Sequence, residues 1–152
     1  MHELRFQQFD LNLLKGKFIK RYKRFFADVQ LDNGDTVVAH CPNTGSMKGL
    51  LDYEYAYILP VNDPKRKLKF TLQLIEKGSS RVGVNTHLTN HIGVEAIKNG
   101  VITELANFKE LKTEVKYGSQ NSRIDILLTH DDDTLHYVEI KNTTLAEGTN
   151  AR

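Results

Sequence analysis

Turn chemistry cuts residues 14–84 into short pieces, and this punctuation constrains the fold more than any other feature of the chain. Asp32-Asn33-Gly34-Asp35 stands between two runs rich in β-branched and aromatic residues, a strong hairpin signal. Pro42-Asn43-Thr44-Gly45-Ser46, Asn62-Asp63-Pro64 and Gly78-Ser79-Ser80 are further breaks. Strand-length segments remain at residues 15–21, 25–31, 36–41, 53–61 and 70–76. Five short strands with polar turns predict a Greek-key barrel of OB-fold size.

After Val84 the period changes. Thr89 or Asn90 can cap a helix whose apolar face carries Ile92, Ala96 and the Val101 region, and Asn99-Gly100 supplies a stop. Residues 110–117 alternate cleanly, and residues 123–129 and 135–141 read as two strands around an acidic turn. The chain is therefore expected to be α+β, with a barrel domain at residues 1–84 and a second domain at 85–152, in the order helix, strand, strand, strand.

Charge follows the same division. The net charge is +2 overall, but the first 84 residues carry +5 and the remainder −3. Lys15, Lys17, Lys20, Arg21, Lys23 and Arg24 form one basic cluster, and Lys65, Arg66, Lys67 and Lys69 another. A basic half beside an acidic one suggests a polyanion-binding module, although solvated lysine-rich strands give the same pattern. Within residues 20–26 cations alternate with aromatics, the combination that holds phosphates and stacks bases. Tyr22 is the stacking candidate, and Phe25 and Phe26 are expected in the core. Asn43, Thr44 and Ser46 form either a plain turn or a backbone nest for a phosphate. His40 and Cys41 lack partners at ligand spacing and read as structural. With one cysteine, no zinc-like Cys/His spacing, no signal peptide and no apolar run of ~18 residues, the expected address is the cytoplasm, off the membrane.

The hairpin around Asp132 carries the chemistry. A turn centred there puts Ile124 opposite Ile140 and Ile126 opposite Val138, leaving Asp125 across from Glu139 on the other face with Lys141. Like charges facing across a ladder call for full solvation or a cation. Two carboxylates suit Mg²⁺, which could activate a water while Lys141 offsets phosphoryl charge. Arg123 is either a phosphate contact or a partner for Glu139.

The spacing of Asp125 and Glu139-Ile140-Lys141 resembles the PD-(D/E)XK nuclease signature. Taken with Lys20-Arg21-Tyr22-Lys23-Arg24-Phe25, Ala39-His40-Cys41-Pro42-Asn43-Thr44-Gly45-Ser46-Met47, Val84-Asn85-Thr86, Glu114-Val115-Lys116-Tyr117-Gly118 and Ser122-Arg123-Ile124-Asp125, it resembles the sugar fermentation stimulation protein A family. That resemblance implies an N-terminal OB-fold, a nuclease-like domain and a DNA-binding protein linked by name to sugar utilisation, with Asp125, Glu139 and Lys141 in the nuclease motif. It makes Glu95 a candidate further ligand for Mg²⁺ or Mn²⁺, or else a solvent-facing helix residue. The family pattern continues beyond Ala151-Arg152, so this form is expected to be truncated and inactive as a nuclease. Its bare sheet edge offers pairing with a second copy, which makes a homodimer one expected state.

Overall fold

The computed structural model describes residues 12–118 and 122–144, together with the backbone of Ala146–Glu147 and Asn150–Ala151. Two compact units are present, divided between His87 and Leu88, with the second unit running to Lys141.

The first unit is built from β1 (Leu14–Tyr22), β2 (Phe26–Leu31), β3 (Thr36–His40), β4 (Tyr55–Pro60), β5 (Phe70–Lys77) and β6 (Ser80–Gly83). Their order is β3-β2-β1-β4-β5-β6. A parallel pairing of β3 with β5, Ala39 opposite Phe70 and His40 opposite Thr71, closes the first five strands into an OB-like barrel. The expected barrel is thus present. The segment after Gly78, read from sequence as a terminal break, instead turns back as β6 against β5. Alternation, shifted by one residue in β5 where Gln73 is an extra residue in its pairing with β4, explains the core: Phe18, Val29, Ala39, Ile58, Leu72 and Ile75 are buried in it, and Cys41 and Met47 fill the same interior. Cys41 is therefore a packing residue. His40 is half-buried, and burial, with Arg66 and His87 nearby, holds its pKa below the usual histidine value.

Gly16 sits where β1 is paired on both sides, with β2 and with β4. A Cβ there would meet Gln30 O and Val29 Cγ1 at 2.6 Å, so only glycine admits this approach.

The second unit contains α1 (Thr89–Lys98), β7 (Phe108–Tyr117), β8 (Ser122–His130) and β9 (Leu135–Val138). The sheet is antiparallel in the order β7-β8-β9. Its core is Ile97, Ile126 and Leu128, flanked by Val94, Leu111, Val138 and Ile140. The helix is rotated from the expected face: Ile92 and Val101 are exposed, and Val94 and Ile97 are the residues that pack. Gly93 lets the helix approach Ile140, whose side chain occupies the space a Cβ would need. Neither Thr89 nor Asn90 caps the helix, because Leu88 holds the N-cap position with no side-chain bond. No helix among the described residues is long and apolar enough to cross a membrane.

Glu76 ties the barrel strands together on their outer side. Its side chain is 8% exposed and accepts from Lys15 at 2.5 Å, Arg81 at 2.5 Å and Tyr57 at 2.7 Å. These three partners lie on β1, β6 and β4. Hydrogen bonds from Lys15, Arg81 and Tyr57 lower its pKa from 4.5 to about 2. A carboxyl depressed on folding contributes stability in full above its unfolded pKa, and the contribution is lost as pH falls from about 4.5 toward about 2. Glu76→Gln is expected to lower the melting temperature at neutral pH and to flatten the acid limb in that window. Thermal unfolding of both proteins across the acid range checks this, and parallel acid limbs would contradict it.

Candidate functional site

Residues of both units were singled out from sequence, and each unit has its own geometry.

In the barrel, β1 and β2 are joined by Lys23, Arg24 and Phe25. Lys23 and Arg24 both have positive φ, 48° and 62°. Two successive residues of positive φ follow the twist of a hairpin but are normally Asn or Gly, so two long cations here impose a conformational cost. The turn projects both cations into solvent together with Phe25, which is 46% exposed. Phe25 is therefore no core residue, because the reversal at Arg24 takes it out of strand alternation. Phe26 is half-buried and stacks on Tyr22, with centroids 5.3 Å apart and planes 18° apart. Lys20 Nζ lies 5.3 Å from the Tyr22 ring centroid and 3.7 Å from Asp28. Burial, and the Asp28 carboxylate beside it, hold the Tyr22 phenol above its ordinary value.

Arg21 has a different task. Its guanidinium donates to the carbonyls of Asn43 at 2.7 Å, Gly45 at 2.9 Å, Arg24 at 3.1 Å and Ser46 at 3.3 Å. Four of its five N–H donors are engaged with backbone. Gly45 N donates to Asn43 Oδ1 at 2.8 Å, and Asn43 is buried, while Thr44 and Ser46 are exposed. The loop thus turns carbonyls toward Arg21 rather than a ring of amides toward solvent. The second basic cluster falls on the loop between β4 and β5, where Lys65, Lys67 and Lys69 are exposed. Arg66 bonds Thr71 Oγ1 at 3.1 Å, and Lys69 bonds Asp63 O at 3.0 Å.

In the second unit the β8–β9 hairpin has the register expected from a turn at Asp132, with Ile126 opposite Val138 and Leu128 opposite His136. The ladder ends at Val138, so Asp125 and Glu139 are not ladder partners as the sequence suggested. Asp125 itself marks this fork: its Oδ2 accepts the Ile140 amide at 2.7 Å. Its Oδ1 accepts Asn90 Nδ2 at 3.1 Å, and the same amide group reaches Glu114 Oε1 at 3.3 Å. Glu114, within β7, has a φ of 54°. Lys141 pairs with Glu139, and both side chains are largely exposed. That pairing raises the Lys141 pKa, and the charge of Asp125 adds to the rise, so the three groups share one neighbourhood. Arg123 is exposed and directly opposite Lys116, two like charges facing across the ladder one step from Asp125.

Asn90, Glu114 and Lys116 escaped the sequence reading. Asn90 looked like a cap, and Glu114 and Lys116 looked like a solvent face. Glu95, half-buried on α1, is five residues from Asn90 and about 140° around the helix from it. Among the described residues no three His, Cys, Asp or Glu side chains gather around one point. The donor chemistry nevertheless suits a hard cation. Each Asp125 oxygen has a lone pair beyond the one it gives to Asn90 or Ile140, the exposed Glu139 immediately precedes Ile140 in the chain, and Mg²⁺ usually takes only one or two carboxylates.

Two family models match the chain: "SfsA N-terminal OB domain" at residues 19–84 and "Sugar fermentation stimulation protein RE domain" at residues 87–152. The sugar fermentation stimulation protein homolog of Microcystis aeruginosa is 49% identical over 143 residues, covering 92% of this chain and 60% of the relative. That of Nitrosococcus oceani is 48% identical over 146 residues, covering 94% and 61%. The solved structure of Pyrococcus furiosus SfsA superposes with a TM-score of 0.73 at 24% identity, over 90% of this chain and 57% of that one. The chain therefore spans somewhat over half the length of these relatives.

Arg21→Lys removes the planar fork but keeps the charge. It is expected to cost about 1–2 kcal/mol in urea unfolding and to speed amide exchange in the Asn43–Ser46 loop. Unchanged exchange there would show that the four bonds do not hold the loop.

Proposed function

This chain belongs to the sugar fermentation stimulation protein A family, and from that premise we propose that it is a DNA-binding protein whose barrel grips the phosphate backbone with little sequence preference. One observation carries the reading. Lys23 and Arg24, which end the first basic cluster on β1, and the whole second cluster fall on the loops joining β1 to β2 and β4 to β5, the loops with which OB-folds hold oligonucleotides. Lys20, Lys23, Arg24, Lys65, Lys67 and Lys69 supply phosphate contacts, and Phe25 offers an exposed ring for an unstacked base. Arg21, Asn43, Thr44 and Ser46 serve indirectly, by fixing the loop beside the hairpin tip.

Fluorescence anisotropy with labelled single- and double-stranded oligonucleotides in EDTA tests this. Affinity is expected to fall linearly on a log–log plot against salt, and each lost phosphate contact reduces the slope by roughly 0.7–0.9. Neutralising Lys23, Arg24, Lys65 and Lys67 together should abolish most binding, and Phe25→Ala should weaken single-strand binding by about 1–3 kcal/mol. Unchanged affinity of the fourfold variant at low salt would end the proposal.

A second reading concerns the second unit, and the facing Lys116–Arg123 pair beside Asp125 favours it. Here Asp125 and Glu139 hold Mg²⁺ or Mn²⁺, and the nearby cations hold a phosphodiester. Such an ion supplies an acidified water and screens phosphate charge. Lys141 offsets charge on the transferring group, and Asn90 and the Ile140 amide keep the Asp125 carboxylate aimed. The solved Pyrococcus furiosus protein is in complex with Ca²⁺, another ion that prefers oxygen ligands. Calorimetry is expected to show Mn²⁺ binding that weakens at least tenfold in Asp125→Ala and in Glu139→Gln, with DNA affinity in EDTA unaltered. Mn²⁺ affinity that ignores both substitutions excludes this reading.

A further inference from the structure

Five residues along β8 from Asp125, about 17 Å away, the strand ends in a pair of imidazoles. His130 Nε2 lies 3.0 Å from His136 Nδ1. The rings are nearly perpendicular, with planes 75° apart. On its other side, His130 Nδ1 lies 3.1 Å from the carbonyl oxygen of Asn107. A carbonyl only accepts, so Nδ1 carries a proton and a neutral His130 turns a bare Nε2 lone pair toward His136. The backbone is bent on both sides of the pair. Asn107 has a φ of 61°, and Asp133, in the β8–β9 turn, 65°. Asp131 and Asp132 border the same shallow depression and give it a negative rim.

We propose that His130 Nε2 and His136 Nδ1 chelate one borderline divalent cation, with Zn²⁺ as the type case, at a site separate from the Asp125 fork. Two imidazole nitrogens bound to one zinc at about 2.0–2.1 Å stand roughly 3.3 Å apart at the tetrahedral angle, close to the spacing seen here. Both rings lie toward the surface, so a small turn of each aims both lone pairs at one point. The Asn107 carbonyl is the outer hydrogen-bond partner that a ligating histidine ordinarily has. With no third protein ligand among the described residues, water completes the coordination and the ion exchanges readily. Imidazole pairs select Zn²⁺, Ni²⁺ or Cu²⁺ over Mg²⁺, whereas the Asp125 fork offers only oxygen.

Proton accounting is simple. Without metal, the His136 Nδ1–H donates to His130 Nε2. When the ion enters, that proton moves through solvent to His136 Nε2, so a neutral pair releases none and each imidazolium releases one.

The test is a Zn²⁺ titration of this chain near neutral pH, followed by calorimetry and by histidine-ring NMR. One ion is expected to bind saturably, shifting the ring signals of His130 and His136. His136→Gln and His130→Gln should each weaken binding at least tenfold, and Asp125→Asn should leave it unaltered. The proposal is overturned if Zn²⁺ moves the rings of His40, His87 or His91 instead, if His136→Gln binds as tightly, or if no saturable binding occurs up to about millimolar Zn²⁺.

Discussion

A nearly buried carboxylate on the outside of the barrel organises its strands. Glu76 is on β5, yet its hydrogen-bond donors come from β1, β4 and β6. A charge with 8% exposure is costly unless donors surround it, and three donors converge here, two of them cationic. Lys15 also lies over the Tyr55 ring at 4.3 Å, so the network uses apolar faces as well as charge. Strands that share one anion cannot slip past one another without leaving it unpaired. The register of β1, β4, β5 and β6 is therefore specified from outside as well as by the core.

With the register set, closure of β3 on β5 places the β1–β2 tip and the β4–β5 loop as two projecting basic elements on the barrel. The tip turns through Lys23 and Arg24 at positive φ, and Arg21 braces it against the Asn43–Ser46 loop. Strain of this kind persists only where the surrounding structure over-determines it. Arg21 supplies that restraint through several backbone carbonyls at once. One cation of the cluster is thereby used to hold the others in place, which a count of charges does not reveal.

The second unit has a comparable division of labour. β9 separates from β8 at the point where the Asp125 side chain, instead of a ladder partner, takes the Ile140 amide. A carboxylate in a strand fork is held by backbone and by Asn90, while Glu139 and Lys141 beyond the fork remain in solvent. The acid and the exposed pair differ in restraint: Asp125 accepts two hydrogen bonds from the fold, whereas Glu139 and Lys141 bond each other.

Much of this architecture was legible in the residues. Asp32-Asn33-Gly34-Asp35 and the other turns marked out the barrel strands, because glycine and asparagine supply conformations that other residues resist. The hairpin pattern identified Ile124 and Ile126 as an apolar face, and both are buried, while the turn at Asp132 set the register. What the residues could not disclose depends on distance in space. Strand periodicity misplaced Phe25 because a left-handed Arg24 reverses the chain before it. The helix face was misread because Gly93 permits an approach that favours Val94 and Ile97 over Ile92. Asn90 meets Asp125 across 35 residues of chain and Glu114 across 24, and no local pattern encodes such a meeting. Local preferences determined which segments extend and which turn, since those energies act between neighbours. Only the packed structure decided which polar groups share a proton or a charge, since that depends on atoms brought together by the rest of the fold.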